Sequence, residues 1–302
     1  MLRSRGSFLI RPVEIPTELN AWRTALKRRN LLGLIAACAA GSIANAFLIE
    51  PRRLTITRRD VSCGKLPPAL DGLRIGLLAD FHYKPDRDDD LLHAIVDQVR
   101  HENLDILALA GDFIDSSPRV LVPLMDHLRK LTARHGVFAV MGNHDGWNIS
   151  NATMRVRFEK EGISFLDNEH SLLNIRGESL AVAGTDFIWG GKPDPARTLR
   201  GIHTDTPVIA LVHEPDYFDV MAAQRDILLQ LSGHTHGGQC RVPLIGYAPV
   251  SVEHGRKYIY GGFARGESKL FVTRGVGTTG LPVRFACPPE LAVLTLRSAR
   301  QS

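Results

Sequence analysis

The sequence predicts an α/β fold in which helices cover buried β-sheet, preceded by a separate apolar helix. Three observations predict it. Short apolar runs of strand length alternate with amphipathic segments of helical period. Five of those apolar runs stop at a residue able to bind a cation. Leu31 to Ile49, "LLGLIAACAAGSIANAFLI", carries no charge at all.

The chain divides accordingly into a basic leader (1–30), the charge-free segment (31–49) and a folded domain (50–302). The charge-free segment is close to the ~20 apolar residues that span a bilayer. Three readings fit it: an uncleaved membrane helix, an export signal, or a buried helix of the domain. Arg28-Arg29 ahead of a moderately apolar run resembles a twin-arginine signal, and Ala44 to Ala46 offers an A-x-A cleavage site. Arg23, Lys27, Arg28 and Arg29 precede the run, and Arg52, Arg53, Arg58 and Arg59 follow it. Basic residues on both flanks weaken the charge bias that orients a membrane helix. A bacterial inner-membrane location is expected, with the periplasmic side somewhat favoured.

Beyond it, "RLTITRRDV" alternates as a half-buried strand. "LRIGLLAD" is an apolar strand ending at Asp80. "DDDLLHAIVDQVRHEN" places Leu91, Leu92, Ile95, Val96 and Val99 at helical spacing, with Asp88 or Asp89 as cap. "LDILALAGD" ends at Asp112. "PLMDHLRKLTARHG" predicts a helix closed by Gly136. "VFAVMGNHD" ends at Asn143 and His144. A helix is expected over Ala152 to Lys160, followed by strands "ISFLDN", "SLLNI" and "LAVAGTD". "PVIALVHEPD" ends at His213, and "DILLQLSGHTH" ends at His234 and His236. Ligands of open α/β sheets gather beyond the carboxyl ends of the strands. Asp80, His82, Asp112, Asn143, His144, His213, His234 and His236 should therefore meet on one edge. Carboxylate, amide and imidazole donors suit borderline divalent ions such as Mn, Fe or Zn.

The ordered motifs "DFH", "GDFID", "GNHD", "VHEPD" and "SGHTHGGQ" resemble those of the calcineurin-like metallophosphoesterase superfamily, from about Leu73 to the C-terminus. "RVPLIG" and "TRGVGTTGLPVRFACPPELAVLTL" are similar to a bacterial membrane-associated phosphodiesterase subgroup related to UDP-2,3-diacylglucosamine pyrophosphatases of lipid A synthesis. The resemblance implies two packed mixed sheets flanked by helices and two divalent metal ions. Asp80, His82 and His236 would hold one metal, and Asn143, His213 and His234 the other, with Asp112 bridging. It implies that His144 is a non-ligand acid or charge stabiliser, its ring oriented by Asp145. The implied activity is hydrolysis of phosphodiester or pyrophosphate bonds, on a phosphorylated small-molecule or lipid-linked substrate at the membrane. Alternatives are an exported generic phosphodiesterase or nuclease, and a membrane-tethered binding protein with a decayed site. The presence of both Asp112 and His144 favours an enzyme.

Composition narrows the partners. The net charge of +5 and pI near 9.2 suit anionic substrates or a membrane surface. Nucleic acid is not the expected partner, because basic clusters are thin. A nuclease groove would have to be built from Arg256, Lys257, Arg265, Arg274 and Arg284 with Tyr258, Tyr260 and Phe263. The four cysteines show no C-x-x-C pair, so a structural zinc site is not expected. If the first and last strands paired antiparallel, Cys63 and Cys287 would come within disulfide reach; two unrelated cysteines are the favoured reading.

Overall fold

The computed structural model describes residues 28–249 and 252–299; the basic leader up to Lys27 lies outside them. The chain divides into two units between Ala44 and Asn45. Of the first, the described part is the helix Arg28–Ala44. Residues Asn30–Arg52 are helical, with a mean hydropathy of 2.0 and a length and composition able to cross a membrane. Leu31, Leu34 and Ile43 are exposed.

The second unit contains two six-stranded sheets. The first holds β1 (Thr55–Cys63), β2 (Arg74–Leu78), β3 (Ile106–Leu109), β4 (Val137–Ala139), β5 (Ile163–Phe165) and β12 (Glu290–Ser298), in the order β1-β12-β2-β3-β4-β5. The second holds β6 (Glu169–Ile175), β7 (Glu178–Gly184), β8 (Val208–Leu211), β9 (Leu229–Ser232), β10 (Gly261–Arg265) and β11 (Ser268–Val272), in the order β10-β11-β9-β8-β7-β6. Strands β2 to β5 run parallel, as do β7, β8, β9 and β11.

Period-two alternation sorts these strands into layers. Ile75, Leu77, Ile106 and Ala108 meet Ile209, Leu211, Leu229 and Leu231 in the core between the sheets. Leu78, Leu107, Leu109 and Val137 face outward into a second core with Leu92, Ile95 and Val96 of the helix Asp89–His101 and Leu124 and Leu128 of the helix Leu121–Leu128. Val208 and Ala210 face the opposite way, against Met221 of the helix Phe218–Gln224. Parallel strands covered on both faces read as unbroken apolar runs. That is why "LRIGLL", "ILAL" and "VIAL" lack visible alternation.

Two expectations are corrected. The helix starting near Pro123 ends at Leu128 rather than running on to Gly136, because the N–H groups of Lys130 and Leu131 turn back on His127 and Leu128 in tight three-residue turns. The first and last strands pair parallel, with Thr55 opposite Glu290 and Cys63 opposite Ser298. Cys287 precedes Glu290, so it sits at the Thr55 end. Eight strand residues, about 26 Å, separate that end from Cys63. Both thiols are free and buried.

Candidate active site

The carboxyl ends of β2, β3, β4, β8 and β9 all open on one edge. Asp80 and His82 follow β2, Asp112 follows β3, Asn143 and His144 follow β4, His213 follows β8, and His234 and His236 follow β9. Ligand atoms of Asp80, His82 and His236 lie within 4.8 Å of one another; so do those of Asp112, His213 and His234, and those of His82, Asp112 and His144. Oδ2 of Asp112 stands between the groups, 3.3 Å from Nε2 of His82 and 3.2 Å from Nε2 of His213. His234 and His236 serve different groups, so two imidazoles one residue apart do not compete for one position.

Aiming these side chains inward requires unusual backbone. Asp80, His82, Asp112, His234 and His236 all have positive φ, between 38° and 70°. That region is uncommon for residues with a Cβ and is tolerated where the surroundings enforce it. Gly142 shows one such constraint, since a Cβ there would collide with the backbone nitrogen and carboxylate of Asp112.

Each carboxylate is pinned by one oxygen and leaves the other facing the cluster. Oδ1 of Asp80 accepts from His234 N–H at 2.7 Å, and Oδ1 of Asp112 accepts from His144 N–H at 2.9 Å. Oδ2 of Asp80 is buried with no hydrogen-bond partner. The imidazoles are set the same way. His213 donates from Nδ1 to the Ala110 carbonyl at 2.6 Å, freeing Nε2 as a lone pair, and that buried atom forms no hydrogen bond. His234 donates from Nε2 to the Glu253 carbonyl at 2.5 Å, so its Nδ1 presents a lone pair 2.9 Å from Oδ1 of Asn143. Nε2 of His82 faces Nε2 of His236 at 3.0 Å. Lone pairs turned toward one another and orphaned buried oxygens are what a cation would satisfy. The donor set therefore fits divalent metal ions.

The electrostatics agree. Burial pushes Asp80 up to about 6, against the pull of His213. Burial, with the like charge of Asp112, pushes Asp145 up to about 7. Burial drives His234 down to about 3 and His236 far below its usual value, each helped by a neighbouring imidazole. For Asp112 burial works the other way, yet His213 and His82 outweigh it and hold the carboxyl well below the carboxylate range. For His82 and His213 burial works downward, but the Asp112 carboxylate outweighs it, raising His82 to about 9 and His213 well above its usual value; a metal bound at Asp112 would take the place of those protons.

His144 lies at the edge of the cluster with its side chain 24% exposed. It donates from Nδ1 to the Asp115 carbonyl at 2.9 Å, leaving Nε2 free. Its ring meets His82 edge-on at 4.7 Å. Asp145 does not touch that ring. Its carboxylate accepts from the N–H groups of Phe113, Ile114 and Gly142, at 2.9 to 3.0 Å. Asp145 therefore ties the loops after β3 and β4 together, and Asp115 orients His144. Sequence reasoning had Asp115 in view inside "GDFID" but gave it no part. It also missed Glu214, fully buried, whose Oε1 accepts from the N–H groups of Ile188 and Trp189 at 3.0 Å. These contacts set one wall, where Trp147 and Trp189 meet edge-on at 5.0 Å, with Trp147 beside His144.

The basic residues considered for a nuclease groove are occupied elsewhere. Arg256 pairs with Glu253, Lys257 and Arg265 with Asp219, and Arg274 with Glu290. Arg284 is fully buried and donates to the carbonyls of Arg274, Gly277 and Cys287.

Comparison with known proteins gives one consistent result. The model of the calcineurin-like phosphoesterase family matches residues 73–238. An uncharacterized metallophosphoesterase of Bacillus subtilis, YkuE, is 30% identical over 285 residues, covering 90% of this chain and 98% of its own. Phosphodiesterase YaeI of Escherichia coli is 31% identical over 281 residues, covering 90% and 99%. A zebrafish transmembrane protein with a metallophosphoesterase domain is 31% identical, covering 90% of this chain and 63% of its own length.

Proposed function

Because this chain belongs to the calcineurin-like phosphoesterase family, and so is a metal-dependent phosphoesterase, we propose that it uses two divalent metals to hydrolyse phosphodiester or pyrophosphate bonds of a membrane-associated substrate. The observation that carries this reading is the pair of donor groups meeting at Oδ2 of Asp112. Asp80, His82 and His236 would hold one ion, and Asn143, His213 and His234 the other, with Asp112 shared. When bound, divalent ions there would supply positive charge to neutralise phosphate oxygens and to make an attacking water more acidic. The remaining work falls to the chain. His144, with Nδ1 fixed on the Asp115 carbonyl, presents Nε2 to the leaving oxygen as proton donor. Asp145 and Glu214 keep the loops carrying these groups in register.

The apolar run Asn30–Arg52 supports a membrane anchor or a twin-arginine signal, and with it a lipid-linked substrate. The similarity to phosphodiesterase YaeI of E. coli supports diester hydrolysis. UDP-2,3-diacylglucosamine is the specific substrate if the domain faces the cytoplasm. A periplasmic domain, the side favoured by the Arg28-Arg29 pair, would instead act on an exported phosphodiester. A reporter fused after Ser302, followed by assays with UDP-2,3-diacylglucosamine and an aryl phosphodiester, separates these. Cytoplasmic placement with UDP-lipid cleavage establishes the lipid A reading. Periplasmic placement with aryl diester cleavage alone removes it. Loss of neither substrate under either condition would remove the phosphoesterase mechanism.

A further inference from the structure

The chain leaving the His236 turn does not return to the core. Residues 242–247 read V-P-L-I-G-Y and form a closed loop, with Val242 N–H on the Tyr247 carbonyl and Gly246 N–H on the Val242 carbonyl, both at 2.8 Å. Its tip is apolar. Leu244 is fully exposed, Ile245 is 78% exposed and Tyr247 63%. Leu244 also holds a φ of 68°. Loop tips in water favour Gly, Asn, Asp and Ser; aliphatic exposure and backbone strain together need another explanation.

Two further apolar tips are fastened beside it. Leu281, 66% exposed, belongs to a turn held by Gln239, whose side-chain amide donates to the carbonyls of Thr279 and Leu281 and accepts from Thr279 N–H. Leu48 and Ile49, also exposed, end the apolar run. Their segment is tied down by Arg284 N–H on the Ala46 carbonyl at 3.0 Å and by Cys287 N–H on Glu50 at 2.6 Å. The same framework reaches the site. Cys287 Sγ lies 3.2 Å from the His236 carbonyl, and Gly277 N–H donates to the Asp80 carbonyl at 2.7 Å.

We propose that Leu48, Ile49, Leu244, Ile245, Tyr247 and Leu281 form a rim that inserts into the headgroup–acyl boundary of an anionic bilayer, so that the metal site works at the lipid surface. This rests on reading the apolar run as membrane-inserted. The rim is continuous with that run, which identifies a bilayer as the occupant. Exposed Arg52 and Arg53 at its margin complement anionic headgroups. Separate aliphatic tips on short loops suit a fluid acyl phase, whereas a protein partner calls for a flat, close-packed patch.

The test uses the full chain in vesicles of phosphatidylethanolamine and phosphatidylglycerol, with Cys38→Ser and Cys240→Ser removing the accessible thiols. An environment-sensitive dye is placed in turn through Leu244→Cys, Leu34→Cys in the apolar run, and Leu172→Cys on the exposed face of β6. Doxyl-labelled lipid should quench positions 244 and 34 and leave 172 unquenched. Quenching at 34 without 244 overturns the rim while leaving the anchor intact. Quenching at 244 without 34 supports the rim and removes the anchor. Quenching at neither overturns both. A blue shift at 244 without lipid quenching, accompanied by self-association, assigns the patch to a protein contact and overturns the proposal. In a functional arm, Leu244→Asp with Ile245→Asp should leave hydrolysis of a soluble aryl phosphodiester within about twofold, and lower doxyl-lipid quenching of a dye at Leu281→Cys at least about tenfold while quenching at Leu34→Cys persists. Equal loss in both assays would also overturn it.

Discussion

The two ends of the central strands handle charge in opposite ways. At the amino end, Arg74 opens β2 and pairs with Glu102 at 2.7 Å, its N–H bonds Asp105 at 2.9 Å, and Arg134 closes on Asp105 at 2.8 Å. Both acids, Glu102 and Asp105, are paired there, and the one buried group of this cluster without a partner is Nε of Arg74. At the carboxyl ends of β2, β8 and β9, Oδ2 of Asp80 and ring nitrogens of His82, His213 and His236 are buried without one. Five of the site residues hold left-handed backbone. Such conformations cost of order 1–3 kcal/mol each, and buried unpaired polar groups add to that. The apolar strand interiors offset this, at about 1.5–3 kcal/mol for each fully buried Leu. The amino end is arranged for stability and the carboxyl end for a cation.

Substitutions at the two ends should therefore separate activity from stability. The largest effect is expected at Asp112. Asp112→Ala should lower activity by at least about three decades, several kcal/mol of lost metal and transition-state stabilisation, while lowering the Tm of the metal-free protein less than a core variant does. A Tm drop comparable to that of a core variant would erase the contrast. His144→Ala should cost about two to four decades in kcat while elemental analysis still finds the full metal content. Loss of a metal in that variant would make His144 a ligand. The shared interior should behave inversely. Leu109→Ala, at a fully buried position, should destabilise by about 2–5 kcal/mol, yet leave kcat per folded molecule within about threefold.

The smallest effect sharpens the paired end. Burial alone would raise the Glu102 carboxyl, but Arg58, Gln98 and Arg74 bring it below its usual value. A depressed carboxylate stabilises the fold above its unfolded pKa, about 4.3, and that contribution is lost as pH falls through the lower folded value. Glu102→Gln should cost about 1–2 kcal/mol at pH 7, and its Tm should approach the wild-type value as pH drops below about 4. A pH-independent difference would assign Glu102 a packing role alone.

The same contrast explains what the sequence reveals. Ligand positions are readable because strand termini and metal-binding residue types are local features, so Asp80, Asp112, His213 and His234 stand out at the ends of apolar runs. The two-sheet layering follows from apolar runs covered on both faces. Pairing direction is not local. β1 and β12 are far apart in the chain, and either direction satisfies their alternation, so the Cys63–Cys287 contact was open until the parallel register excluded it. Side-chain partners within a loop are not local either. Asp145 sits next to His144 in sequence, but the backbone after Asp112 presents N–H groups to its carboxylate and brings Asp115 to the histidine instead. The mildly basic C-terminal region read as a possible groove because sequence shows charges without their acids, Asp219, Glu253 and Glu290.

Metal stoichiometry tests the central claim most directly, with the two donor groups separated by substitution. Elemental analysis of the purified full chain, His236→Ala and His213→Ala would be run beside activity before and after chelation. The account predicts two ions in the native protein, one in each variant, and activity that disappears on chelation and returns with added Mn. Two tightly held ions in both variants, or undiminished activity in protein stripped of metal, would contradict it.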